Sequence, residues 1–198
     1  MKIIVFMLLI ILATFILSSC YILGIPDNTI MPKDFSMKEW ELTYPLNDYT
    51  YIYSFNLVGF DIPIKLEKYI NGTKESESSK LLEPSENPGD IVITINDIPD
   101  DKSGSKRLIR IVPNSESGTG PILYIDFTTP PYHSSLVEQC AEMLPVKENM
   151  VLLSMLYSEK ESITGLSKEF YKDPDAHMDE LAQYQEAYLL RFFKKRKE

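Results

Sequence analysis

Cysteine and histidine are scarce in this chain, with two of each in 198 residues. Two cysteines cannot build a disulfide scaffold, and no C-x-x-C pair exists to hold zinc. Two histidines exclude a multi-histidine metal centre, so neither a metal nor another cofactor is expected. Positive charge is also short: 20 Lys+Arg stand against 29 Asp+Glu, a formal net charge of -9. Nucleic acids need clustered cations to neutralise their phosphates, which argues against DNA or RNA as the main partner. Internal repeats are absent. What remains is globular in character. Apolar residues make up 44%, too many for a disordered chain, and charged residues 25%, an ordinary share. The length suits one domain with or without a targeting segment.

The longest apolar run follows Lys2 and extends unbroken from Ile3 to Leu17. A short positive region, an apolar stretch and then small residues form a secretory signal rather than part of a fold. The run ends in Leu17-Ser18-Ser19-Cys20. An aliphatic residue, two small ones and a cysteine in that place resemble the lipobox of bacterial lipoproteins. The resemblance covers about a tenth of the chain and leaves the mature fold open. It implies cleavage after Ser19 and lipid attachment at Cys20, which becomes the new N-terminus. Each acyl methylene then adds about 0.8 kcal/mol of membrane affinity, so two or more chains anchor stably.

A second reading keeps the segment as an uncleaved anchor. No charge occurs between Lys2 and Asp27. The 23 residues from Ile3 to Ile25 would span about 34 Å as a helix, enough to cross a bilayer. Either way, residues 26–198 lie outside the cytoplasm on a membrane tether.

The expected organisation is a signal peptide over 1–19, a tether over 20–37 and one extracytoplasmic domain over 38–198. Pro26 and Pro32 interrupt the tether, which shows no period. In YTYIYSFNLVGF, Tyr49, Tyr51, Tyr53 and Phe55 alternate with Thr50, Ser54 and Asn56, which predicts a strand. IPIKLEKYI predicts a second, with Ile62, Ile64 and Leu66 opposite Lys65 and Glu67. Residues 71–89 are rich in Ser, Glu, Gly and Pro and read as a mobile loop. Strands near 90–96, 106–113 and 121–127, joined by short turns, suit an antiparallel meander.

From residue 134 the spacing becomes helical: Leu136, Val137, Cys140, Met143 and Leu144 share one stripe, and Ser135 with Glu138 resembles a capping box. The apolar run MVLLSMLY over 150–157 fits a buried strand or a helix. Ser158 with Glu161 offers another capping box. Asp173-Pro174 opens a final helix whose face holds Met178, Leu181, Ala182, Gln185, Tyr188, Leu189 and Phe192. The fold class expected is therefore α+β, an antiparallel sheet of about five strands followed by C-terminal helices.

Candidate chemistry is sparse. Asp126, His133 and Ser134 or Ser135 supply the residue types of a hydrolase triad, but no G-x-S-x-G elbow surrounds either serine. The acids of Asp173 to Glu180 lack the Gly and Glu of a calcium loop and suit the start of a helix. Cys140, on an apolar stripe, reads as a buried structural thiol. The row Tyr49, Tyr51, Tyr53 reads as core. Five basic residues within 191–197 pair with a helix end or meet anionic lipid. The expected role is a lipid-anchored, non-enzymatic envelope lipoprotein that binds or scaffolds an envelope partner. A membrane-tethered hydrolase using His133 with Ser134 or Ser135 is the alternative.

Overall fold

The computed structural model describes residues 26–34, 48–56, 60–82, 89–100, 104–115, 118–119, 122–129, 132–140, 142–146, 149–192 and 195–196. The signal segment and Cys20 lie outside them. Among the described residues the secondary structure is almost entirely β. The first sheet holds β1 (Thr29–Lys33), β2 (Tyr49–Asn56), β5 (Gly89–Asp100), β6 (Gly104–Ser115), β7 (Gly118–Thr119), β8 (Leu123–Thr129) and β10 (Leu144–Pro145). The second holds β3 (Phe60–Ile70), β4 (Thr73–Leu82), β9 (Ser134–Gln139), β11 (Met150–Ser158), β12 (Glu186–Phe192) and β13 (Lys195–Arg196). The described pairings are antiparallel. Among the described residues, helical structure is confined to α1 (Lys168–Lys172) and two 3-10 turns, Pro174–Ala176 and Met178–Gln183.

The tyrosine row places the two sheets face to face. Tyr51, Tyr53 and Phe55 project from β2 toward the second sheet, where the Tyr51 hydroxyl donates to the Val137 carbonyl and that of Tyr53 to the Leu152 carbonyl. Ile91, Ile93, Ile95, Ile109 and Ile111 fill the same layer and are fully buried. Opposite them stand Ile64, Leu66, Leu190 and Phe192. The alternation seen in β2 and β3 thus corresponds to a real inner and outer face.

The expected C-terminal helices are replaced by strands. Residues 134–139 form β9, which pairs with β11. Residues 186–192 form β12, inserted between β3 and β11 at the centre of the sheet. Both β11 and β12 are buried along their whole length. One face meets the other sheet; the other is covered by the segment 159–185, which packs Leu166, Phe170, Tyr171 and Leu181. A strand covered on both sides loses its period of two, and its continuous apolar run mimics the stripe of a helix. The serines of the two capping boxes do not cap. Ser158 accepts from the Lys160 amide in a local turn, and α1 is capped by Ser167, whose Oγ accepts from Phe170 N at 3.0 Å.

Two further expectations are corrected. Residues 29–33, read as tether, form β1, which pairs with β2 and β10. Much of the loop read over 71–89 is β4, paired along β3 through a turn at Asn71-Gly72, both with positive φ. The meander of β5, β6 and β8 pairs in the expected antiparallel order.

An ionic cluster built on the buried Arg191 and Glu67 fastens the cover to the sheet. Arg191 on β12 lies 2.7 Å from Glu67 on β3 and 3.1 Å from Asp175 in the covering segment. Its Nε is near Glu67 without an aligned hydrogen bond, so this contact is an ion pair by proximity. Tyr69 and Lys74 donate to the two Glu67 oxygens, which raises the Lys74 ammonium well above its ordinary pKa.

Candidate functional site

The residues proposed for hydrolysis do not share a site. Asp126 is on the exposed side of β8 with its carboxylate 2.8 Å from Lys106, whose hydrogen bond holds its pKa below the usual range. His133 is exposed just before β9. The Ser134 hydroxyl donates to the Lys160 carbonyl at 2.8 Å, and Ser135 points outward. A serine hydroxyl donated to a backbone carbonyl is not polarised by a base. Two of the four acids of 173–180 are likewise engaged: Asp175 with Arg191 and Asn149, Glu180 with Ser167. Among the described residues no group of three His, Cys, Asp or Glu is placed to hold a metal ion.

What the sequence did not reveal is a pocket of about 170 Å³ between the end of β9, β10 and α1. Cys140, Leu144, Leu166 and Tyr171 form its apolar floor; Glu138, Gln139, Glu142, Lys168 and Lys172 line the remainder. Cys140 sits where the chain leaves β9, its amide bonded to the Leu152 carbonyl. Burial pushes its thiol pKa up, so at neutral pH the sulfur is protonated and a poor nucleophile. The Gln139 side-chain oxygen is buried without a hydrogen-bond partner among the described residues.

Glu138 organises the wall behind the floor. Its Oε1 accepts from the Leu166 amide at 2.7 Å and from Ser154 Oγ at 3.3 Å. Ser154 in turn shares a 2.8 Å hydrogen bond with the Tyr171 hydroxyl. Burial, reinforced by the Glu138 charge, raises the Tyr171 phenol far above its usual range; the same causes lift Tyr184. Tyr51 is pushed up to about 12, by burial first and then by the neighbouring Tyr49 and Glu138 charges. At the mouth, Lys168 and Lys172 both reach the Glu142 carboxylate, at 3.6 and 3.4 Å. Chemically this is an apolar recess with a protonated thiol and phenol inside and lysines paired to Glu142 at its mouth, suited to holding a ligand rather than to attacking one.

A second concavity, of about 230 Å³, lies at the opposite flank, where the outer edges of β4 and β8 approach without pairing. Ser76, Glu77 and Ser78 line one wall and Ile125 to Thr128 the other, over Leu66, Lys68 and Tyr188. The floor is already occupied by its own contacts. Tyr188 stacks on Phe127 at 4.2 Å and donates to Glu186, which also accepts from Tyr132 and lies 3.7 Å from Lys68. With its aromatic faces covered, this seam offers less to a ligand than the β9–α1 pocket.

Some signal for the pocket existed in the sequence. Cys140, Leu144, Leu166 and Tyr171 are apolar positions flanked by charge, but they converge only because β9 and α1 are neighbours across the covering segment. Comparison with known proteins finds no matching family, no matching curated protein and no matching solved structure.

Proposed function

We propose that this chain is a lipid-anchored lipoprotein of the bacterial cell envelope, tethered through Cys20 outside the cytoplasm, that acts as a binding module and not as an enzyme. The anchor rests on Leu17-Ser18-Ser19-Cys20 at the end of the apolar run. The binding role rests on one observation above all: the β9–α1 pocket combines an apolar floor with a protonated thiol and charged rim. Engagement of the Ser134 hydroxyl and the Asp126 carboxylate elsewhere in the fold weighs against the hydrolase. An envelope partner or a small ligand would be held by the domain while the lipid confines it to the membrane surface.

Metabolic labelling with palmitate tests the anchor. Wild type should carry label and Cys20→Ser should not; an equally labelled variant overturns lipidation at this residue. His133→Ala tests the role. It should leave both fold and phenotype intact, whereas a folded variant lacking an activity of the wild type would replace the binding module with the hydrolase.

A further inference from the structure

Resting on the reading of this domain as a binding module, we propose that the outer edge of β9 takes an extended segment of a partner polypeptide as an added strand. One uncharged side chain of that segment sits in the β9–α1 pocket. A sheet edge presents unpaired amides and carbonyls, and proteins keep such edges from pairing by short strands, proline, charge or cover. Among the described elements β7, β10 and β13 are two residues long, and β10 ends on Pro145. β4 carries Lys74, Glu75, Glu77 and Lys80. β8 faces it across the seam, where the Thr128 carbonyl accepts from the Tyr188 hydroxyl. β9 is six residues long and holds no Lys, Arg or Pro. Its one charge, Glu138, is turned to the Leu166 amide and Ser154. None of the devices that guard the other edges is built into this one.

The register shows which groups the edge offers. Successive residues of a strand direct their backbone groups to opposite sides. Cys140, just past β9, donates its amide to the Leu152 carbonyl, so Ser134, Leu136 and Glu138 are the residues whose groups pair with β11. Ser135, Val137 and Gln139 therefore point theirs outward. The Tyr51 hydroxyl, arriving from the other sheet, donates to the Val137 carbonyl, which agrees with that direction. Among the described residues the three amides and the carbonyls of Ser135 and Gln139 are left for an incoming strand. Main-chain pairing of this kind supplies affinity, and pockets for side chains supply specificity.

The pocket lies at the end of the same edge. Gln139, the last residue of β9, lines it, and its side-chain oxygen is buried with no donor among the described residues. A buried acceptor left unmet is costly, and an amide of the added segment would meet it. Cys140, Leu144, Leu166 and Tyr171 make the floor apolar, while two lysines and two glutamates stand around it. That balanced rim favours neither sign of charge. An apolar side chain suits both the floor and the rim.

The full-length protein in nanodiscs is given an acetylated, amidated heptapeptide of alternating Thr and Val with Leu at its centre, and amide exchange is followed by NMR. At ten times its half-saturating concentration the peptide should slow exchange at Ser135, Val137 and Gln139 about ten-fold. The same peptide with every backbone amide methylated should slow none of them. Val137→Pro deletes an outward amide and spares the ladder to β11, so it should abolish the protection. Ser135→Pro, at an exposed position, repeats the test should the first variant disturb packing. Asp or Lys in place of the central Leu should each weaken protection. Equal protection by the methylated peptide, or none by either, overturns strand addition. Undiminished protection by the Asp and Lys peptides overturns the seating of an uncharged side chain. Protection that grows with protein concentration alone assigns the edge to a second copy and overturns a foreign strand. A failure of these outcomes leaves the binding module with its pocket, whereas a folded His133→Ala variant lacking a wild-type activity removes the module itself, whatever the peptides do.

Discussion

Glu138 is a carboxylate held by backbone, and Gly165 is the residue that makes room for it. A Cβ at position 165 would lie 2.1 Å from Glu138 Oε2, far inside contact distance. Glu138 has little freedom to retreat, because Oε1 is fixed by the Leu166 amide and Ser154. Gly165→Ala should therefore drive the carboxylate away from the Leu166 amide, leaving that buried donor unpaired at about 1–3 kcal/mol. Urea denaturation followed by circular dichroism measures the loss. A variant within about 0.5 kcal/mol of wild type, in the range of ordinary surface changes, would mean that Glu138 does not anchor the covering segment. The same residue links stability to the candidate site, since its partners Leu166 and Tyr171 belong to the pocket floor.

At the scale of elements, the β3–β4 hairpin depends on two residues. Asn71 and Gly72 have φ of 48° and 78°, the pair of positive values that a two-residue type I′ turn needs. Gly72 has a second constraint: an added Cβ would come within 3.0 Å of the Ala182 backbone. Gly72→Ala should thus destabilise the domain by about 1–3 kcal/mol through backbone strain, and β4 should lose amide protection before the central strands do. Hydrogen exchange resolves this; uniform loss of protection across both sheets would show that β4 is not a separable edge. This turn is also where the sequence was most legible and was nevertheless misread. Asn-Gly between Tyr69-Ile70 and a Ser/Glu-rich run marks a hairpin, yet the polarity of KESESSK outweighed it. An edge strand with both alternating faces exposed lacks the apolar period that identifies strands, and its charges serve to block edge pairing. At the opposite extreme, β11 and β12 were obscured by too much apolar character, because the cover over 159–185 buries their outer faces. The half-buried strands β2, β5 and β6 were readable since one face meets core and the other does not. The pocket was not, for its walls come from segments about thirty residues apart.

For the molecule as a whole, the tyrosines tie the packing of the sandwich to pH. Tyr51, Tyr69 and Tyr132 are each pushed up to about 12, first by burial and then by neighbouring negative charge, with the Glu67 hydrogen bond adding to Tyr69. Tyr53, Tyr157, Tyr171, Tyr184 and Tyr188 are raised further, again chiefly by burial. In an unfolded chain all would ionise near the ordinary value of about 10. Their contribution to stability is therefore complete below pH 10 and is lost as pH climbs through 10 to 12 and beyond, where the unfolded state releases protons that the folded state retains. Because these hydroxyls join the sheets to each other and to the covering segment, through Leu152, Val137 and Ser154, ionisation should accompany collapse of the sandwich rather than precede it. The urea midpoint should stay flat from pH 7 to 9 and fall steeply above 10. Absorbance at 295 nm should show only part of the 12 tyrosines titrating while circular dichroism is native, and the remainder appearing together with unfolding. Titration of all of them near pH 10 with an unchanged dichroism spectrum would mean that the tyrosine layer is open to water and that the two sheets do not close on one another.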